Sequence, residues 1–407
     1  PIVESQLFTQ RTPARPARAQ PQTHAAAPGA RCEHDDRGIG GSFVVTRAQW
    51  LLLLLSLWCG HAAAWHGVLP PLTVEHAPQY PLARHLLYLE DRDQRYDVAE
   101  LAGSADHRFR PAGPKHGEVN FGYSASAYWL ALPLAIAADA PAHWLLEIAS
   151  PSLDQVEVYQ PRGGGGYTVY RAGDLDPFGS RAYLHRNLVF PLQLMPGTTQ
   201  TVYIKVVSGG TLTVPATLWQ PEALRRHDQK TYAVLSVYYG MLLALLLYNL
   251  LLFFATRDLL FLAYVAFVAS MAVGQCSLNG LGNQFLWPES IAWGNVALPS
   301  GMSATGFFGA LFTRLFLETR RRAPWLDRVI LAMACAFALS ALSPLFASYR
   351  FAAIFTSLNG LIFSAVATAG GVYCLARRHP GARYFLLAWS LLLVAVGVMA
   401  MRNLGWL

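Results

Sequence analysis

Residues 232–255 read YAVLSVYYGMLLALLLYNLLLFFA, an apolar run without Asp, Glu, Lys or Arg. A helix needs about 20 such residues to cross a bilayer, so this run predicts a membrane-spanning helix. Five further stretches are equally free of charged side chains: 259–278, 291–313, 329–348, 351–376 and 384–401. The sequence therefore predicts a bundle of spanning helices over residues 227–407.

The overall composition agrees with a membrane protein. Hydrophobic residues make up 54% of the chain and charged residues only 14%, which is too apolar for an ordinary soluble protein. The net charge of +7 comes with no basic stripe or nucleic-acid-binding motif, so we expect no nucleic-acid partner. The lipid bilayer is the predicted surrounding.

The arginines between the spans predict an orientation. One set of alternate loops holds Arg257, Arg320, Arg321, Arg322, Arg328, Arg377, Arg378 and Arg383, whereas the other set holds only Arg350 and Arg402. Positive residues favour the cytoplasmic side, so residues before the first span are predicted to lie in the periplasm of a bacterium, above its inner membrane. Six spans would return the chain to that side, and any cytoplasmic output would need a seventh, so we expect a truncation before a seventh span.

The N-terminal residues predict export. Residues 1–42 are rich in Arg, Ala, Pro and Gln without an apolar period, which predicts disorder or translated upstream DNA. Residues 43–64 combine Arg47, a short leucine run and three alanines ending at Ala64, which is typical of a signal peptide.

Residues 65–226 predict a β-sandwich of the jelly-roll kind. Apolar side chains alternate along several short stretches, and Gly or Pro punctuates them. The clearest sets are Trp144, Leu146 and Ile148; Leu188, Phe190 and Leu192; and Val202, Ile204 and Val206. The glycine run at 163–166 lies between two such stretches, which predicts a hairpin turn and not a phosphate-binding loop.

Aromatic residues of this domain are candidate ligand contacts. Trp129, Tyr123, Phe121 and Tyr159 are the candidates, and Trp129 falls on the strand face opposite Tyr128. Alternation therefore predicts that Trp129 is exposed while Tyr128 and Trp144 fill the core. Two interpretations remain open for the cluster: the rings fill the sandwich, or some of them bind a flat ligand such as a carbohydrate.

A carbohydrate-active enzyme is a weaker interpretation. Glu147 and Asp154 would have to serve as a carboxylate pair, but Asp154 and Asp174 lie in turn-like surroundings where Asp is ordinary. The histidines lack metal-ligand spacing, so no metal, cofactor or catalytic residue is predicted in this chain.

Polar residues of the helical part are candidates for coupling. Asn249 and Asn359 are expected to form hydrogen bonds between helices. Asn279 and Trp287 lie in the loop 277–288, which is expected to dock against the sandwich. Arg314 is expected to reach the headgroup region from the end of the third span. A transporter or permease with an exported domain stays an alternative, although spans without charges weigh against ion coupling.

The chain resembles a bacterial family, the seven-transmembrane receptors with diverse intracellular signalling modules (7TM-DISM), over residues 80–405. The segments that carry the resemblance are YLED (88–91), NFGYSASAYWL (120–130), WLLEIA (144–149), LDQVEVY (153–159), AGD (172–174), RNLVFP (186–191), YYG (238–240), LYNL (247–250), SLNGLG (277–282) and ARYFLLAW (382–389). The resemblance implies the family's second type of extracellular domain, a jelly roll like carbohydrate-binding modules, followed by seven helices. It also implies a cytoplasmic output, typically a histidine kinase of a two-component system or a diguanylate cyclase that makes cyclic di-GMP. Because such outputs act in pairs, a homodimer is expected.

Overall fold

The computed structural model describes residues 70–103, 108–113, 118–345, 348–378 and 381–403. The upstream segment predicted for 1–42 and the signal peptide predicted for 43–64 lie outside these residues. Within them, an all-β sandwich precedes a set of long helices, which confirms the predicted mixed fold class.

The sandwich contains short strands and one short helix. Its strands are β1 (Leu72–Val74), β2 (Gln79–Pro81), β3 (Leu87–Asp91), β4 (Arg110–Pro111), β5 (Val119–Tyr123), β6 (Ala127–Ile136), β7 (His143–Ile148), β8 (Gln155–Pro161), β9 (Tyr167–Ala172), β10 (Leu188–Gln193), β11 (Thr199–Val207), β12 (Thr211–Val214) and β13 (Ala216–Trp219). Helix α1 (Val98–Gly103) follows β3.

The strands form two main layers. The larger sheet has the antiparallel order β4-β3-β6-β11-β8-β9, and β1 pairs in parallel with the end of β6. The smaller sheet has the order β10-β7-β13-β2, and β5 pairs separately with β12. Residues 162–166 close the β8–β9 hairpin, where the Arg162 amide donates to the Gly166 carbonyl at 3.0 Å. The predicted turn is thus confirmed.

The core lies between the two layers and follows the predicted alternation. Trp144 from β7, Phe190 from β10 and Ile204 from β11 belong to one buried cluster, and each is at most 1% exposed. Burial of such a side chain contributes roughly 1.5–3 kcal/mol. The alternating sets of the sequence therefore identify the core side of three strands.

The helices are α2 (Pro221–Thr256), α3 (Leu259–Leu278), α4 (Ile291–Phe316), α5 (Thr319–Arg322), α6 (Pro324–Leu342), α7 (Tyr349–Ala376) and α8 (Ala382–Asn403). A π-helical turn, Gly282–Leu286, lies between α3 and α4. Within the described residues, 6 of these helices are long and apolar enough to cross a membrane. The predicted number of spans is thus confirmed.

Helix α2 begins well before its apolar part. It is 36 residues long, and only Gln220 separates its start at Pro221 from the end of β13. The first turns are polar, which is why hydropathy alone places the span later. The predicted domain boundary between 226 and 227 therefore falls inside a continuous helix.

Charged residues enter the helices where these extend past the predicted spans. Helix α6 begins at Pro324, so its first turn includes Asp327. Arg314, near the end of α4, donates through Nε and Nη2 to this carboxylate, both at 2.9 Å, and Thr319 Oγ1 donates to it at 2.7 Å. The reach of Arg314 toward headgroups stays a prediction; in the structure its guanidinium is paired with this carboxylate at the start of the next long helix.

Candidate functional site at the junction of sandwich and helices

The sandwich and the helices, as far as the structure describes them, belong to one compact unit and meet at a junction. Sandwich loops near residues 151, 186 and 210 contact the start of α2, the α3–α4 connection and the start of α7. Both helix connections were predicted to share the sandwich's side of the membrane, and the contacts agree. The expectation that loop 277–288 docks on the sandwich is confirmed.

Gly280 is the closest point of contact in this docked loop. Its φ is +72°, and a Cβ there would overlap the Arg186 carbonyl oxygen and lie 2.9 Å from Pro151 Cβ. Arg186 also donates through Nη1 to the carbonyl oxygen of Asn279 at 3.4 Å. The site accepts only glycine, because the backbone of the sandwich occupies the space of a side chain.

The polar start of α2 forms the second contact. His185 Nε2 lies 3.1 Å from Asp228 Oδ1, and both side chains are largely buried. The guanidinium of Arg186 lies over the ring of Tyr232, 5.7 Å from its centroid, and Tyr232 donates its hydroxyl to Gln284 Oε1 at 2.8 Å. One short sandwich segment thus touches both α2 and the α3–α4 connection.

The start of α7 forms the third contact. A Cβ on Gly210 would lie 3.0 Å from Tyr349 Cε1, so the tyrosine ring packs directly on this sandwich loop. Arg350 donates through Nη2 to the carbonyl oxygen of Tyr123 at 3.3 Å, and the Tyr123 hydroxyl lies 3.2 Å from Ser357 Oγ. Tyr123, a predicted ligand contact, is therefore a junction residue.

Two aspartates lie behind this contact. Asp154 accepts hydrogen bonds from Ser208 Oγ at 3.0 Å and from the Gly209 amide at 2.9 Å, which fixes the loop below Tyr349. Asp174 is only 6% exposed, and its Oδ1 has no partner among the described residues. Sequence reasoning assigned both to ordinary turns and gave no signal of this burial.

Asp174 has a strongly perturbed acidity. Burial, reinforced by the Asp154 carboxylate, raises its pKa to about 8, although Arg181 opposes the change. Burial also lowers the pKa of Arg181 to about 10. Desolvation disfavours either ion here, so the carboxyl of Asp174 holds a proton near neutral pH.

A small cavity separates these two groups from the α3–α4 connection. Its volume is about 10 Å³, and Asp174 and Arg181 line one side while Asn283 and Trp287 line the other. Such a volume has room for about one water molecule. Trp287, a predicted coupling residue, is oriented here by the hydrogen bond from its Nε1 to Asn283 Oδ1, which is 2.7 Å long.

Trp129 is buried, so the expectation that it is exposed is wrong. Its side chain is 1% exposed and donates through Nε1 to Asp91 Oδ2 at 3.3 Å. It does lie on the face opposite the core, but Val98 and Leu101 of α1 cover that part of the sheet. A helix this short has no apolar period that the sequence could display.

Tyr159 lies on the same face as Trp129 and is half-buried. It is joined there by Tyr167 and Tyr203, which the sequence prediction missed. Ring centroids are 6.4 Å apart for Tyr159 and Tyr167 and 6.3 Å apart for Tyr167 and Tyr203. We call Tyr159, Tyr167 and Tyr203 the aromatic face. Tyr203 alternates with Val202 and Ile204 along its strand, and this alternation could have placed it on the face opposite the core.

Charged side chains form a row beside the aromatic face. Lys205 of β11 is paired in register with Glu157 of β8, which is paired with Arg171 of β9. Glu157 accepts from Arg171 Nε at 2.9 Å and from the Tyr159 hydroxyl at 2.6 Å. Burial, together with this carboxylate, raises the pKa of Tyr159, which therefore stays a neutral donor.

Phe121 does not join the aromatic face. It packs against the core and stacks on Tyr128, with centroids 4.1 Å apart. The four predicted ligand contacts therefore separate into Trp129 and Tyr159 on the outer sheet face, Phe121 at the core and Tyr123 at the junction.

The coupling candidates also separate. Asn279 lies in the junction and donates through Nδ2 to the Tyr239 hydroxyl at 3.2 Å. Asn249 donates to the carbonyl of Leu245 in its own helix at 2.8 Å. This is a hydrogen bond within one helix and not the expected bond between helices. Asn359 is 8% exposed, and its Nδ2 has no partner among the described residues.

The carboxylates considered for catalysis serve structural contacts. Glu147 is 4% exposed and accepts from Asn187 Nδ2 at 2.7 Å and from Trp219 Nε1 at 2.8 Å. Asp154 is engaged in the loop described above. Among the described residues, no group of three or more His, Cys, Asp or Glu side chains could hold a metal ion.

Two family descriptions match the chain. Residues 83–220 match the one described as 7TMR-DISM extracellular 2, and residues 231–407 match the one described as 7TM diverse intracellular signalling. The first match covers most of the sandwich and the second covers the helices. None of the curated proteins matches the chain.

Proposed function

Because the chain belongs to the family of seven-transmembrane receptors with diverse intracellular signalling modules, we propose that it is a signalling receptor of the bacterial inner membrane. The sandwich binds a ligand in the periplasm, and the junction passes the bound state to the helices. A cytoplasmic histidine kinase or diguanylate cyclase would be the output, with two chains acting together.

The observation that supports this proposal best is the docking of the sandwich on three helix ends. Gly280, Tyr349 and Asp228 belong to different elements, and each contacts the sandwich. A ligand shifts a conformational equilibrium only through different affinities for the two states. Because the sandwich contacts the helices at three points, the conformation that the sandwich favours would also favour a matching arrangement of the helices.

We propose the aromatic face as the ligand site. Ligand sites combine apolar surface with a few polar groups that fix orientation, and here three tyrosines lie beside the row of Lys205, Glu157 and Arg171. Flat rings next to hydrogen-bonding groups suit a carbohydrate. The side chains of this site lie on strands, which position such groups more rigidly than loops do.

Calorimetric titration of the full chain in nanodiscs tests the site, with maltohexaose, cellohexaose and chitohexaose as probes. We expect one of them to bind, Tyr167→Ala and Tyr203→Ala to abolish that binding, and Tyr183→Ala to leave it intact. Tyr183 is a matched control because it is 39% exposed and lies outside the aromatic face.

Hydrogen exchange of residues 279–287 with the bound probe tests the coupling. Slower exchange at this connection is the expected result. Binding without any change at the connection would contradict the receptor mechanism, whereas absence of binding by all three probes would contradict the proposed ligand class.

A further inference from the structure

A second feature lies at the opposite end of the helices from the junction. A groove of about 430 Å³ runs between α3 and α4 at the start of α3 and the end of α4. Its apolar lining consists of Leu259, Leu262, Ala263, Ala266, Phe308, Leu311 and Leu315. Leu259 and Leu315 are exposed there, so in a membrane this groove would face lipid in the leaflet away from the sandwich.

The end of the groove that lies farthest from the sandwich is basic. Arg314 and Arg320 line it together with one acid, Asp327. The two hydrogen bonds from Arg314 to Asp327, both at 2.9 Å, neutralise that pair. Arg320 is exposed and adds a positive charge beside it.

The dimensions of the groove fit an amphiphile. Leu259 to Ala266 and Phe308 to Leu315 each rise about 10 Å along their helices. One leaflet of the hydrocarbon core is about 15 Å thick. The apolar walls thus extend from the basic end through most of a leaflet, which is the depth of an acyl chain below its headgroup.

We propose that this groove binds one anionic glycerophospholipid, with an acyl chain between α3 and α4 and its phosphate at Arg320. A zwitterionic phospholipid carries the same phosphate but adds a cationic amine beside Arg320, and a free phosphate ion would leave the apolar walls empty. Each basic side chain near a membrane surface strengthens the attraction to anionic lipid. This binding is independent of the proposed ligand of the sandwich.

The test uses the purified full chain in bicelles of equal parts phosphatidylglycerol and phosphatidylcholine, followed by native mass spectrometry. We expect one phosphatidylglycerol to remain bound per chain. Arg320→Gln is expected to lower its retention about tenfold or more, because it removes the charged hydrogen-bond partner of the lipid phosphate. Arg321→Gln removes the same charge from an exposed neighbour outside the groove and is expected to retain the lipid like the wild type.

A second variant keeps the test decisive if Arg320→Gln destabilises the chain. Ala266→Trp fills the apolar part of the groove without changing its charge, so it is expected to remove the retained lipid. Equal retention of both lipids, equal retention by Arg320→Gln and the wild type, or lipid bound despite Ala266→Trp would each overturn the proposal. So would a chain dimer that replaces the lipid and disappears in Ala266→Trp.

Discussion

Replacing Gly280 by alanine is expected to loosen the junction while the sandwich stays folded. The φ of Gly280 is +72°, a region that costs other residues about 1–2 kcal/mol. The added methyl group would also overlap the Arg186 carbonyl oxygen and lie 2.9 Å from Pro151 Cβ. Neither neighbour is the end of a flexible side chain, so the loop and the sandwich must move apart.

The magnitude follows from these two costs. Overpacking of this kind costs typically about 1–3 kcal/mol, and the backbone conformation adds about 1–2 kcal/mol. The docked state therefore loses about 2–5 kcal/mol. Since 1.4 kcal/mol is about a factor of ten in an equilibrium constant, opening of the junction should become more favourable by roughly 30-fold or more.

Hydrogen exchange of the full chain in nanodiscs measures this opening. Peptides covering 149–154, 184–187 and 279–287 are expected to exchange roughly 30-fold faster in Gly280→Ala. Gly166→Ala is the matched control, because Gly166 has a φ of +77° and a Cβ there would meet nothing within 4 Å. The reasoning is refuted if the junction peptides exchange at the same rate in Gly280→Ala and Gly166→Ala, or if Gly280→Ala accelerates exchange throughout the sandwich.

Three further variants test other parts of the structure. The pKa of Asp174 is raised to about 8, so the folded protein keeps a proton that the unfolded chain releases near its ordinary pKa of about 3.9. Stability should therefore fall as pH rises from about 4 to about 8, by up to about 1.4 kcal/mol per pH unit, and Asp174→Asn should remove this slope in thermal midpoints measured across the range. Asp327→Asn leaves Arg314 without its carboxylate and should cost about 1.5–3 kcal/mol; a thermal midpoint equal to that of the wild type would contradict the importance of the pair. Trp129→Ala should destabilise the sandwich by about 3–5 kcal/mol, whereas a ligand contact on the surface would leave the denaturation midpoint unchanged.

The sequence predicted the sandwich core and the number of spans because both depend on local patterns: alternation along a strand and a long apolar run for a span. Ile204, for example, lies between Tyr203 and Lys205, and this alternation needs no knowledge of the partner strand. The same rule failed for Trp129. Alternation separates the two faces of a strand, but it does not reveal that α1 covers the outer face.

The junction was predictable only in part. The Gly and Asn residues around Gly280 indicated a turn on the sandwich's side, and its docking could be expected. The acidity of Asp174 depends on Asp154, Arg181 and its own burial, all of which come from the three-dimensional arrangement of several loops. The pairing of Arg314 with Asp327 was missed because α6 begins before the apolar run by which the span was recognised.

Helix α2 connects the sandwich directly to the far side of the membrane and can act as a rigid lever between them. At about 1.5 Å per residue, its 36 residues measure about 54 Å, and the first of them follows the last strand after a single residue. A tilt of only about 5° at the sandwich would displace the far end by about 5 Å, close to one helical turn. Small rearrangements at the three contact points would therefore cause larger displacements at the opposite membrane surface. No flexible linker lies between β13 and α2 to absorb the movement.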